Sequence, residues 1–171
     1  SKSSIIKGSR LITCDPALHP DVMEEILNLY SDTIPVFVDP VSCAYAETIV
    51  DFIGKFHTAK PNILETEILS GMKIKSKKDL YKAAEKILDK GLKRIFISLG
   101  ADGCLYMDRE GKHIERKLAP VEHMVNASGA GDAFMAAVIY SYINAFTLDK
   151  TIDYGLAAGI VAISHEKTIN P

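Results

Sequence analysis

Apolar residues along the chain fall into two patterns: short blocks bounded by turn residues, and longer stretches with apolar positions three or four apart. The blocks are Arg10–Asp15 (RLITCD), closed by Pro16, then Pro35–Asp39 (PVFVD), Thr58–Asn62 and Arg94–Leu99 (RIFISL), followed by Gly100. The first two read as buried strands, Thr58–Asn62 as a short strand and Arg94–Leu99 as another strong one. The longer stretches predict helices. Asp21–Tyr30 carries Val22, Ile26, Leu27 and Leu29 on one face. Ala44–Phe56 carries Ile49, Val50, Phe52, Ile53 and Phe56, and Leu64–Ser70 forms one or two turns ended by Gly71. Lys77–Lys90 is the clearest amphipathic helix, with a stripe of Leu80, Ala83, Ala84, Ile87 and Leu88 and a glycine cap at Gly91. Gly103–Met107 and His113–Leu118 flank Asp108–Gly111 and read as a hairpin. An extended run, Lys117–Val125, then leads to an apolar helix over Ala133–Ala145 and a last helix from about Asp149 to Ser164.

Strands alternating with helices predict βαβ units, hence an α/β fold with a mostly parallel sheet between two helical layers. Ligands of such sheets bind at the carboxyl ends of the strands. The polar motifs fall at those ends: Asp39-Pro40, Asn62-x-x-Glu65, Ser98–Gly103 and Asn126–Asp132.

Composition narrows the class. The 171 residues suit one domain, and 47% hydrophobic with 25% charged residues is the profile of a folded chain. The net charge of −2 and the lack of a basic block give no footprint for nucleic acid. The cluster Lys73, Lys75, Lys77, Lys78 reads as a solvated loop. Cys14, Cys43 and Cys104 are far apart and odd in number, which argues against disulfides and zinc, fits a reducing cytoplasm, and makes each a candidate buried residue. The apolar runs near Ala133 and Ala157 are too short and polar for a membrane span. A start at Ser1 without Met and an end at Asn170-Pro171 lead us to expect a piece of a longer protein.

Three constellations carry candidate chemistry. In Asn126-Ala-Ser-Gly-Ala-Gly-Asp-Ala-Phe134, the small residues Gly129, Ala130 and Gly131 fall where a helix begins. Free N–H groups and the helix dipole there form an anion site. Asp132 beside it is a candidate general base for a hydroxyl attacking a phosphoryl group. Packing glycines and an ordinary first-turn aspartate are the simpler alternative. Asn62 and Glu65, three apart at a helix start, fit a capping box, or a place beside a hydrated Mg²⁺ on nucleotide phosphates. Glu67 nearby fits a solvated position. Ser98, Gly100 and Gly103 fit a tight turn, or a loop that lets a nucleotide approach the backbone. The five histidines show no metal spacing, and no nucleophile elbow marks a hydrolase.

Taken together, these motifs resemble a known family. N-A-S-G-A-G-D-A-F at 126–134 is similar to the second signature of the ribokinase-like (pfkB) carbohydrate kinases, commonly D-T-x-G-A-G-D-x-F. P-N-I-L-E-T-E at 61–67 resembles that family's P-N-x-x-E, and S-L-G-A-D-G at 98–103 its T-x-G-x-x-G, in the same order. Within the family the likeness is greatest to the pseudouridine kinase branch, on P-V-F-V-D-P-V-S at 35–42, T-A-K-P-N at 58–62, Asn126 and the ending S-H-E-K-T-I-N-P.

The resemblance implies an ATP-dependent kinase acting on a hydroxymethyl group, the 5′-hydroxyl of pseudouridine first among candidates. Ribose, adenosine or fructose kinases and a non-catalytic nucleotide-binding domain remain open. It implies Asp132 as base and Gly129, Ala130 and Gly131 as anion hole. It places Asn62, Ser98, Gly100 and Gly103 at ATP, and Glu65 at Mg²⁺ through water. In many relatives the positions of Asn126 and Ser128 help hold a monovalent cation; the neutral Asn126 leaves a K⁺ requirement open. The chain would be the C-terminal nucleotide-binding and catalytic part, over residues 1–171. The N-terminal part, with most substrate contacts and a lid through which relatives often dimerise, is absent from it. We therefore expect the chain alone to bind ATP weakly and not to turn over.

Overall fold

A computed structural model describes residues 2–119 and 129–164. A short helix α1 (Lys2–Lys7) leads into strand β1 (Ile12–Cys14), helix α2 (Pro20–Tyr30) and strand β2 (Val36–Val38). Helix α3 (Cys43–Ile49) continues as a 3-10 segment, Val50–Lys55, into β3 (Thr58–Ala59) and α4 (Ile63–Ser70). Helix α5 (Lys77–Asp89) and strand β4 (Arg94–Ser98) follow, then a 3-10 turn at Gly100–Asp102 and strands β5 (Cys104–Asp108) and β6 (His113–Arg116). Helices α6 (Ala130–Ile143) and α7 (Leu148–Ile163) come last.

The strands form one sheet in the order β1-β2-β3-β4-β5-β6. The first four are parallel, with Phe37 opposite both Thr13 and Thr58, and Thr58 opposite Arg94. The link over 99–103 is too short for a parallel crossover, so β5 turns back along β4. The Arg109 N–H accordingly donates to the Lys93 carbonyl at 3.1 Å. Val36, Phe37 and Val38 are all fully buried, as are Ile95, Phe96 and Ile97. Successive strand residues face opposite sides, so both faces of the sheet are covered, as the expected three layers require.

The chain forms two compact units, Ser1–Ser98 with Leu105–Ile114, and Leu99–Cys104 with Glu115–Pro171. In the first, α4 and α5 pack on β4, and the α5 stripe Leu80, Ala83, Ala84, Ile87 and Leu88 is buried as its spacing predicts. In the second, α6 and α7 pack along each other, with the Phe134 ring over Gly155, where a Cβ would lie 2.8 Å from Cζ. Among the described residues, no helix is long and apolar enough to cross a membrane.

Several expectations are corrected. The strands are shorter than the apolar blocks because flanking aspartates turn the chain: Asp15 accepts the Ala17 N–H at 2.9 Å, and Asp39 that of Val41 at 3.2 Å. The helix expected over Ala44–Phe56 tightens to 3-10 after Ile49. Gly54 there abuts the end of α5, and a Cβ on it would sit 1.9 Å from the Lys90 carbonyl oxygen. In α2 the buried pair is Met23 and Leu27, while Val22 and Leu29 are exposed. Helix α1 was not expected, since its six residues contain only Ile5 and Ile6 as apolar positions. Cys14 and Cys104 are buried, but Cys43, at the first turn of α3, is exposed. Burial pushes the Cys14 thiol up to about 11.

Candidate functional site

The carboxyl edge of the sheet is built where β2, β3 and β4 end. Past β3 the chain stays in register with β4: Asn62 forms a parallel bridge with Ser98, and the Ser98 N–H donates to the Pro61 carbonyl at 2.9 Å. Two predicted site residues are thereby neighbours. Asn62 is also the N-cap of α4.

The capping box is formed in full. Asn62 Oδ1 accepts the Glu65 N–H, while the Asn62 N–H and Nδ2 each donate to one Glu65 carboxylate oxygen, all at 2.9 Å. Glu65 is 2% exposed. Burial is the main force raising its pKa, with the Asp39 carboxylate acting the same way; the bonds from Asn62 and the charge of Lys60 oppose it. Each carboxylate oxygen has two acceptor positions, and the box uses one of each. The structural reading of this pair is therefore correct, and one acceptor position on each Glu65 oxygen is left over.

Beside the box lies a pair that motif reasoning missed. Lys60 is 4% exposed, and its Nζ lies 3.0 Å from Asp39 Oδ2. The other Asp39 oxygen holds the Val41 N–H at 3.2 Å, and Val41 has φ 61, a rare conformation for a β-branched residue. The signal was present as an aspartate closing one strand (VDP) and a lysine closing the next (AKP). Pairing them requires knowing that β2 and β3 are parallel neighbours.

Glu67 is not simply solvated. It accepts the Ile74 N–H at 2.7 Å and Lys73 Nζ at 2.8 Å, which lower its pKa and tie down the loop after α4. Lys73 is thus solvated, as expected, and ion-paired as well.

In the second unit, Gly100 (φ 62) and Gly103 (φ 98) shape the turn after β4, where the Leu99 N–H donates to the Gly103 carbonyl at 2.9 Å. Gly103 admits no side chain, since a Cβ would lie 2.0 Å from the Arg116 carbonyl oxygen; around Gly100 the space is open. Arg116 is itself held by Asp149 and Asp153 of α7.

Helix α6 starts where the small residues predict. Gly129 is its N-cap in the left-handed region (φ 86), a position that glycine adopts freely, and among the described residues no side chain caps the helix. The first N–H groups, of Ala130, Gly131 and Asp132, have no carbonyl within the helix to meet. Asp132, in the first turn, is exposed. Asn126 and Ser128, the expected cation residues, lie outside the described residues, as does 120–125 of the extended run before them.

Among the described residues, no group of three or more His, Cys, Asp or Glu side chains stands where it could hold a metal. The oxygen donors of Asn62 and Glu65 suit a hard, hydrated cation shared with phosphate.

The pattern of the pfkB family carbohydrate kinases matches residues 5–171. Pseudouridine kinase of Escherichia coli (strain K12) is 32% identical over 167 residues, which cover 97% of this chain and 52% of that protein. A Clostridium perfringens crystal structure, described as a candidate sugar kinase, is 36% identical, with a TM-score of 0.94 over 99% of this chain and 53% of that one. Arabidopsis thaliana ribokinase, solved with ribose and ATP, is 18% identical and shares the fold, with a TM-score of 0.85 over 97% of this chain and 53% of its own. The chain thus spans about half the length of the relatives it matches. With the family pattern matched over residues 5–171 and 32% identity across 97% of its length, the chain belongs to the pfkB family of carbohydrate kinases.

Proposed function

We propose that this chain is the nucleotide-binding and catalytic part of an ATP-dependent kinase that phosphorylates a hydroxymethyl group of a nucleoside or sugar, with the 5′-hydroxyl of pseudouridine as the favoured acceptor. The observation that carries the reading is the start of α6: left-handed Gly129, no side-chain cap among the described residues, and an exposed carboxylate in the first turn. Asp132 takes the proton as the acceptor oxygen attacks the γ-phosphorus, and the bond to the ADP oxygen breaks. The N–H groups of Gly129, Ala130 and Gly131 face the charge that develops on the phosphoryl oxygens. Ser98, Gly100 and Gly103 border ATP, and Asn62 with Glu65 orients the hydrated ion. Mg²⁺, when bound with ATP, neutralises phosphate charge. Asn126 and Ser128 are the residues for a monovalent cation, K⁺ being the candidate. A cytoplasmic location fits three free cysteines.

The pseudouridine assignment is supported by the 32% identity to a pseudouridine kinase across 97% of the chain. A kinase for another sugar is the second reading, favoured by the 36% identity to the Clostridium perfringens protein. The test is ADP release and product mass with pseudouridine, ribose, adenosine and fructose, using a full-length protein that contains this chain and Mg-ATP. Phosphorylated pseudouridine is expected. A sugar phosphate alone would overturn the acceptor, and no phosphorylated product would overturn the kinase.

A further inference from the structure

Lys60 and Asp39 are not accounted for by the proposed chemistry, and stability alone does not explain them. Burying an ammonium and a carboxylate costs desolvation that their attraction barely repays, so a well-packed apolar pair commonly serves as well or better. Here the ion pair joins two neighbouring strand ends: Asp39 follows β2, Lys60 follows β3, and their contact is 3.0 Å with Lys60 4% exposed. Asp39 spends its second oxygen on Val41, fixing a left-handed turn with an exposed valine at the same edge. Two residues beyond Lys60 stands Asn62, with Glu65 bound to it. The Asp39 carboxylate and the Lys60 ammonium both act electrostatically on Glu65, in opposite directions.

We propose that the buried Lys60–Asp39 pair is a positioning device, which locks the ends of β2 and β3 beside the Asn62–Glu65 box so that this edge receives Mg-ATP in one arrangement. Lys60 acts through Asp39, with which its Nζ is paired at 3.0 Å. The proposal rests on the nucleotide-site reading above.

The test compares the parent with D39N/K60M, which removes both charges and leaves no unpaired ion, by thermal melting and by titration calorimetry with Mg-ATP and with ATP in EDTA. The expected result is a melting midpoint near the parent's, with Mg-ATP affinity weakened at least about tenfold and the Mg²⁺ requirement raised in parallel. A purely structural pair would leave both unchanged once the protein folds. A folded double variant that binds Mg-ATP within about twofold of the parent overturns the proposal. If that variant does not fold, Asp39→Asn alone makes the same comparison: its carboxamide oxygen can still accept the Val41 N–H while its NH2 cannot accept from Lys60, and unchanged Mg²⁺ dependence again overturns the proposal. A parent that binds no Mg-ATP at all overturns the nucleotide site and this proposal together.

Discussion

Replacing Asn62 by Ala tests what the capping box contributes. The substitution removes Oδ1, which satisfies the Glu65 N–H, and Nδ2, which donates to a Glu65 carboxylate oxygen, both at 2.9 Å. The first loss is that of an ordinary N-cap, about 1 kcal/mol. The second removes a hydrogen bond to a charged acceptor, about 1.5–3 kcal/mol. With Glu65 only 2% exposed, water cannot readily replace either. The sum is about 3 kcal/mol, which for a chain of this size corresponds to a fall in Tm of roughly 6–12 °C. Far-UV circular dichroism melts of the two proteins read it directly. Asn62→Asp provides the control. It keeps the acceptor for the Glu65 N–H but faces the Glu65 carboxylate with a second negative charge, so its deficit should shrink as the pH falls and one carboxylate takes a proton. A fall in Tm of less than about 2 °C for Asn62→Ala would refute the reasoning, because the box would then stabilise nothing.

Three further outcomes are expected. Gly103→Ala should destabilise the turn after β4 by more than about 3 kcal/mol, since its Cβ would lie 2.0 Å from the Arg116 carbonyl oxygen at a backbone φ of 98; hydrogen exchange over 99–104 measures it. His57 stacks on Phe37, and burial with the charges of Arg94 and Lys93 pushes its pKa down to about 4. Its unfolded value is higher, so its contribution is present above about pH 6.5 and is lost as the pH falls through 4. For a half-buried ring we expect about 1–2 kcal/mol, visible as a steeper acid loss in urea melts than in His57→Phe. In a full-length protein, Asp132→Asn should lower kcat by about 10²–10⁴ while Mg-ATP affinity holds; unchanged kcat would remove Asp132 as the base.

What could be read from the sequence follows the range of the forces involved. The α5 stripe, the buried blocks of β2 and β4 and the start of α6 depend on local periodicity and on small residues at a turn, and all were legible. So was the Asn62–Glu65 box, because a cap and its closing residue are three positions apart. The Lys60–Asp39 pair was not, because it depends on strand order and register rather than on spacing. Glu67 was misread for a related reason: its partners Lys73 and Ile74 lie across a loop whose path no pattern specifies. The exposure of Val22 and Leu29 shows the limit of counting apolar positions, since α2 buries only the narrower Met23–Leu27 line.

The meeting of Gly54 with the end of α5 has a consequence for how this sequence can vary. A Cβ on Gly91 would lie 2.6 Å from the Gly54 carbonyl oxygen, and one on Gly54 would lie 1.9 Å from that of Lys90. Each obstacle is main chain, common to every amino acid, so no change of residue type at the other position can make room. Second-site suppressors of a substitution at either glycine should therefore not arise at its partner. They would have to move a whole helix, and in a saturation library both positions should stay glycine independently of what surrounds them.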